Sequence, residues 1–118
     1  MTALRDESVV NYTEVLRRLA INDEHFADEC LTGVKVEYDE LDQKTLAIAR
    51  IAALVAVGGA APSYGVQVEA AVSAGATAAE IVEVLVGVVP IVGIPSVVAA
   101  APSLALGLGY DLEVGLAE

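Results

Sequence analysis

Apolar residues recur at helical spacing along most of the chain, and Gly, Pro and capping residues mark where that spacing stops. In VVNYTEVLRRLA, Val9, Tyr12, Leu16 and Leu19 share one stripe while Arg17 and Arg18 point away from it. This is the pattern of a helix with one solvated face. NDEHFADECL permits a second, short helix, opened by Asn22 or Asp23, carrying Phe26 and Cys30 at i,i+4 and ended by Gly33. The acidic VEYDE that follows suits a short extended element.

From Asp42 onward the apolar positions crowd together. Asp42 can cap a helix over 43–57 so rich in Leu, Ile, Ala and Val that only a narrow face can meet water. Gly58 and Gly59 stop it, Pro62 and Ser63 suit the opening of the next helix, and Gly75 suits its left-handed end. Thr77 and Glu80 in TAAE form a capping box ahead of the run IVEVLVGVV. VPIVGIP then reads as a joint, followed by a last helix over 95–107 that Pro102 should kink or break. No series of alternating strands and no internal repeat is present. The pattern predicts one all-α domain over residues 1–118, with six or seven helices and the helical hairpin 43–74 at its centre.

Composition adds the question of where so much apolar surface goes. Of 118 residues, 56% are apolar and 19% charged, against about 25% charged in ordinary soluble domains. With one Phe and no Trp, the interior must be built from small aliphatic side chains. A self-assembling protein that buries the surplus between subunits is the expectation. Residues 84–110 carry no formal charge and are long enough to span a bilayer. Pro90, Pro95 and Pro102 interrupt the stretch, and no Lys or Arg flanks it, so two buried helices are expected in place of a membrane span. MTALRDESVV has no apolar leader segment, which makes the cytoplasm the expected compartment.

The net charge is −11, and all six basic residues lie at or before Arg50. Without a basic stripe, nucleic acid and anionic lipid are excluded as natural partners. The sequence holds no phosphate-binding glycine loop, serine-hydrolase elbow or zinc-protease motif, and GGAAPSYG has no lysine beside it. No cofactor or metal is therefore expected. His25, flanked by Asp23, Glu24, Asp28 and Glu29, is either an acid/base group tuned by a carboxylate or a solvated surface residue. Cys30 has no second Cys to resolve it and is expected to pack on Phe26.

More informative are polar residues stranded in the apolar half: Arg50, Tyr64, Gln67, Glu69, Glu80 and Glu83. Buried charge must be paired, so Arg50 is expected to meet Glu69 or Glu83, or to receive a ligand carboxylate.

The stretch from LDQKT through AGATAAEI to GIP, about residues 41–101, resembles the carboxymuconolactone decarboxylase family and the related AhpD-like alkylhydroperoxidases. The resemblance implies an all-helical AhpD-like fold assembled as a homotrimer or homohexamer. It also implies a pocket at the start of the SYGVQVE helix, roofed by a neighbouring subunit. Where the peroxidase branch carries Cys-x-x-Cys and then His, this chain reads Ala60, Ser63 and Gln67, which excludes dithiol peroxide reduction. The lactone decarboxylases commonly keep a His where Gln67 stands and an aromatic near Ile91, and neither is present.

The expected site combines Gln67, Arg50 and Ser63 as binding groups with Tyr64, Glu69 and Glu83 as candidates to manage a proton. An apolar setting would suit either carboxylate to that work. The resulting expectation is a lyase or isomerase acting on a small apolar or carboxylated metabolite such as a carboxylic acid or lactone. The alternative is a noncatalytic oligomeric protein that binds a small ligand or supports an enzyme.

Overall fold

Local capping chemistry sets where the helices begin. A computed structural model describes residues 7–32 and 40–110, with side chains from residue 12 onward. Among the described residues there are six α-helices and no strand. Residues 33–39, which include most of the expected extended element, lie outside the described residues. Contacts divide the chain into two units, residues 1–41 and 42–118.

The first unit holds α1 (Glu7–Ala20) and α2 (Glu24–Thr32). Asp23 opens α2 by accepting from the Phe26 N–H at 3.2 Å, after Asn22 turns the chain with φ of 60°. On α1 the Glu14 carboxylate accepts from Arg17 at 2.6 Å and from Arg18 at 3.1 Å. Those two hydrogen bonds, Arg17's first, hold its pKa down to about 2. The Arg18 guanidinium also stands 5.7 Å from the centre of the Phe26 ring, a cation–π contact between the two helices. Cys30, expected to pack on Phe26, is exposed, on a helix with no buried residue.

The second unit holds α3 (Gln43–Val57), α4 (Ala61–Ser73), α5 (Ala78–Val92) and α6 (Ile94–Gly107). Asp42 caps α3 through the Thr45 N–H at 2.7 Å. Thr77 and Glu80 form the complete capping box of α5, at 3.0 and 2.9 Å. Among the described residues the buried core lies in this unit. Its largest fully buried side chains are Tyr64, Ile51, Ile81, Leu104, Val55 and Val68. α4 packs between α3 and α6. Where it meets α6 at Gly107 the fit is close: a Cβ there would stand 3.3 Å from Val68 Cγ2 and 3.5 Å from Gly65 Cα.

Two sequence expectations are corrected here. Pro90 does not open a joint: α5 runs through it to Val92, and only Gly93, with φ of 90°, separates α5 from α6. Of the kink or break expected at Pro102, the break does not occur: α6 runs through it to Gly107. Each proline withdraws a hydrogen bond from the carbonyl four residues earlier. Those carbonyls belong to Val86 and Val98, residues 67% and 63% exposed, on helix faces where water can replace the lost donor. None of the described helices is long and apolar enough to cross a membrane.

Backbone donation from Thr77 first, then the Lys44 ammonium at 3.0 Å, holds the Glu80 carboxyl below its ordinary range. Hydrogen bonding from Thr45 does the same for Asp42. Both pKa values are depressed in the folded state, so their contribution is complete above the unfolded carboxylate range and is lost as pH falls through the native values. The urea midpoint should therefore fall between about pH 6 and about pH 3, and should fall less in Glu80→Gln. An undiminished fall in that variant would remove Glu80 from the account.

Candidate functional site

The small side chains that let α3, α4 and α6 approach do not fill the space at their ends. A concavity of about 390 Å³ opens between the C-terminus of α3, from Val55 to Gly59, Tyr64 of α4, and Pro95, Ser96, Ala99 and Ala100 of α6. Its volume is within the range of small-molecule sites. A second hollow of about 510 Å³ lies between α5 and α6, lined chiefly by Val82, Leu85, Leu104, Leu108 and Tyr110. Its walls are almost wholly apolar.

Tyr64 is the distinctive group in the first concavity. α4 turns Tyr64, Val68 and Ala71 into the core, which leaves Tyr64 only 1% exposed. The residue lines the concavity, and its hydroxyl makes no hydrogen bond among the described residues. Burial alone pushes the phenol above its ordinary pKa, so it stays a neutral O–H donor at physiological pH. Buried hydroxyls are nearly always hydrogen-bonded.

The other sequence candidates are placed differently. Ser63, Glu69, Glu83 and Arg50 are exposed, and Gln67 is half-buried. None of the five lines either hollow. The apolar setting expected for Glu69 and Glu83 is absent, because α4 and α5 present Val68, Ala71, Ile81 and Leu85 inward and turn both carboxylates outward. Among the described residues no buried residue other than Tyr64, whose ring belongs to the apolar core, carries a polar side-chain group. The ion pair joining α3 to α5 is Lys44 with Glu80, at 3.0 Å. His25 is on the first unit's surface, its side chain 82% exposed and 3.3 Å from Glu29, the solvated one of its two readings. No group of three His, Cys, Asp or Glu among the described residues is arranged to hold a metal ion.

Ser96 is the lining residue that sequence reasoning missed. It stands in the first turn of α6, which begins at Gly93 without a side-chain cap. The signal available was GIPS, a helix opening in which glycine supplies no capping oxygen.

The sequence profile described as the carboxymuconolactone decarboxylase family matches residues 25–105. The chain belongs to that family, and its all-helical architecture agrees with the AhpD-like fold. No curated protein and no solved structure gives a match. Within this fold Ala60 is the N-cap of α4, and Ser63 and Gln67 occupy its first two turns.

Removing the solitary hydroxyl tests whether it is unsatisfied. An unmet buried donor costs about 1–3 kcal/mol, so Tyr64→Phe should be at least as stable as the parent chain, measured by urea denaturation without added ligand. A clear loss of stability would mean that the hydroxyl already has a protein partner in the assembled molecule.

Proposed function

We propose that this family member binds a small carbonyl-bearing metabolite in the α3–α4–α6 concavity and acts on it as a cofactor-independent lyase or isomerase. The carrying observation is Tyr64, a buried residue that lines the concavity and whose hydroxyl has no hydrogen-bond partner among the described residues. In this reading the phenol O–H binds the carbonyl oxygen and shares its proton as negative charge develops there, in the manner of oxyanion stabilisation. Gln67, Ser63 and Arg50 act at the outer approach to the same region, and Glu69 and Glu83 serve as proton carriers reached from solvent.

A noncatalytic binder is the competing reading, and a specific observation favours it. Apart from Tyr64 no residue lining the concavity is titratable, so no strong general base faces a bound ligand. Turnover and affinity separate the two readings. With a lactone or carboxylic acid selected by thermal shift, Tyr64→Phe should lower turnover by roughly 10²-fold or more if the phenol transfers the proton. Weakened binding with no turnover by the parent chain would establish the binder. Alkyl hydroperoxide should not be reduced by either form, since Cys30 stands alone.

Homotrimeric or homohexameric assembly in a cytoplasmic setting belongs to the same proposal. Its support is the apolar surface on the second unit, where Ile91 is 86% and Leu106 70% exposed, with Val86 and Val98 also uncovered. Such surface is uncommon on monomers. Sedimentation at micromolar concentration in about 0.15 M salt, without detergent, should give a particle several times the 12.1 kDa chain mass. Ile91→Asp should shift it toward monomer. A monomeric parent would overturn the assembly.

A further inference from the structure

The hollow between α5 and α6 is a second cavity, separate from the one beside Tyr64: no residue lines both. α6 divides them, giving Ala99 and Ala100 to the first and Ala101, Leu104 and Ala105 to the second. The way α6 stops closes one end of the second. Gly109 takes a left-handed φ of 80°, its N–H donates to the Leu106 carbonyl at 3.0 Å, and the Tyr110 N–H donates to the Ala105 carbonyl at 2.9 Å. This pair of bonds is a Schellman cap, which turns the chain back over the helix it ends. Leu108, Gly109 and Tyr110 thereby line the hollow together with Leu104 and Ala105.

The same cap settles the polarity of that end. The Leu104 and Ala105 carbonyls also take the Leu108 N–H, at 3.0 and 3.1 Å, so these helix-end acceptors are already occupied. No lining residue carries a formal charge, and among them only Tyr110 has a polar side-chain group. An anion entering here would leave water for walls without a cation, in a chain of net charge −11 whose basic residues all lie at or before Arg50. A cation would find no lining carboxylate. Either transfer is costly without a partner.

The shape favours a small occupant. Leu85 and Leu104 are buried walls of the hollow, while Val82 and Tyr110 are exposed at it. The apolar surface suited to a protein partner lies elsewhere, since Val86, Ile91, Val98 and Leu106 do not line it. A dry apolar cavity of about 150 Å³ is enough to hold benzene, and this hollow measures about 510 Å³. We propose that it is a binding site for an uncharged, hydrocarbon-rich small molecule larger than benzene. The site is independent of the reading given to the concavity beside Tyr64.

The test uses the full chain with ¹³C-labelled methyl groups and two matched probes, octan-1-ol and octanoate, at about pH 7, where the acid is ionised. Octan-1-ol should shift the Val82, Leu85, Leu104 and Leu108 methyl signals and leave those of Val55, in the other concavity, in place. Octanoate should bind at least about tenfold more weakly, because its carboxylate meets no cation at the hollow. Ala105→Phe, which fills the hollow from α6, should abolish the shifts. Val82→Asp, at an exposed position, should weaken octan-1-ol about tenfold by the same penalty on charge without a partner, with the urea midpoint retained. Shifts at Val55 in place of the α5–α6 methyls overturn the proposal and leave the Tyr64 concavity as a ligand site. Equal affinity for octanoate, or affinity untouched by Val82→Asp, also overturns it. So does an absence of binding by the parent chain, or binding that weakens as protein concentration rises, which gives the hollow to a second copy.

Discussion

The close approach of α4 to its two neighbours governs the rest of the second unit. A core built from Ala, Val, Ile and Leu with one buried aromatic gains little area per side chain, so its stability depends on bringing backbones near one another. Gly107 against Val68 and Gly65 is where this is most constrained, since a single Cβ would meet both. The same economy of volume has a second effect. Residues such as Ala56, Gly59, Ala99 and Ala100 cannot fill the space at the helix ends, and the concavity beside Tyr64 is what they leave.

Family membership and chemistry come apart in this chain. The profile match over residues 25–105 covers the scaffold, while the resemblance to the peroxidase branch brings no Cys pair with it, since Cys30 is the chain's single cysteine. What remains at the concavity beside α4 is a phenol. Such a group can bind and orient. Proton transfer by it depends on one O–H whose burial makes ionisation costly.

Much of the fold was legible in the sequence because capping is local. Asp42, Thr77 and Glu80 declare their helices within four residues, and α3 has the bounds the sequence predicts. The prolines were not legible, because whether Pro90 or Pro102 breaks a helix depends on whether the carbonyl it frees can reach water. The site was half-legible. Tyr64 could be found as a polar group in an apolar run, but Glu69 and Glu83 could not be placed. On α4 small apolar residues occur all round the helix, so no contrast between faces fixes which way a carboxylate turns.

The one-residue joint at Gly93 has a mechanical consequence. With a single residue between α5 and α6, their crossing angle is governed by one pair of torsions, and α6 is a lever of roughly 21 Å at about 1.5 Å per residue. Ser96 lies only three residues from that fulcrum. A tilt of about 10° would sweep the far end through roughly 3–4 Å yet carry Ser96 less than about 1 Å, by the same rise per residue. The packing of Leu104 and Gly107 would register such a tilt long before the Ser96 wall of the concavity did, so the far end of α6 keeps the angle and the near end keeps its place.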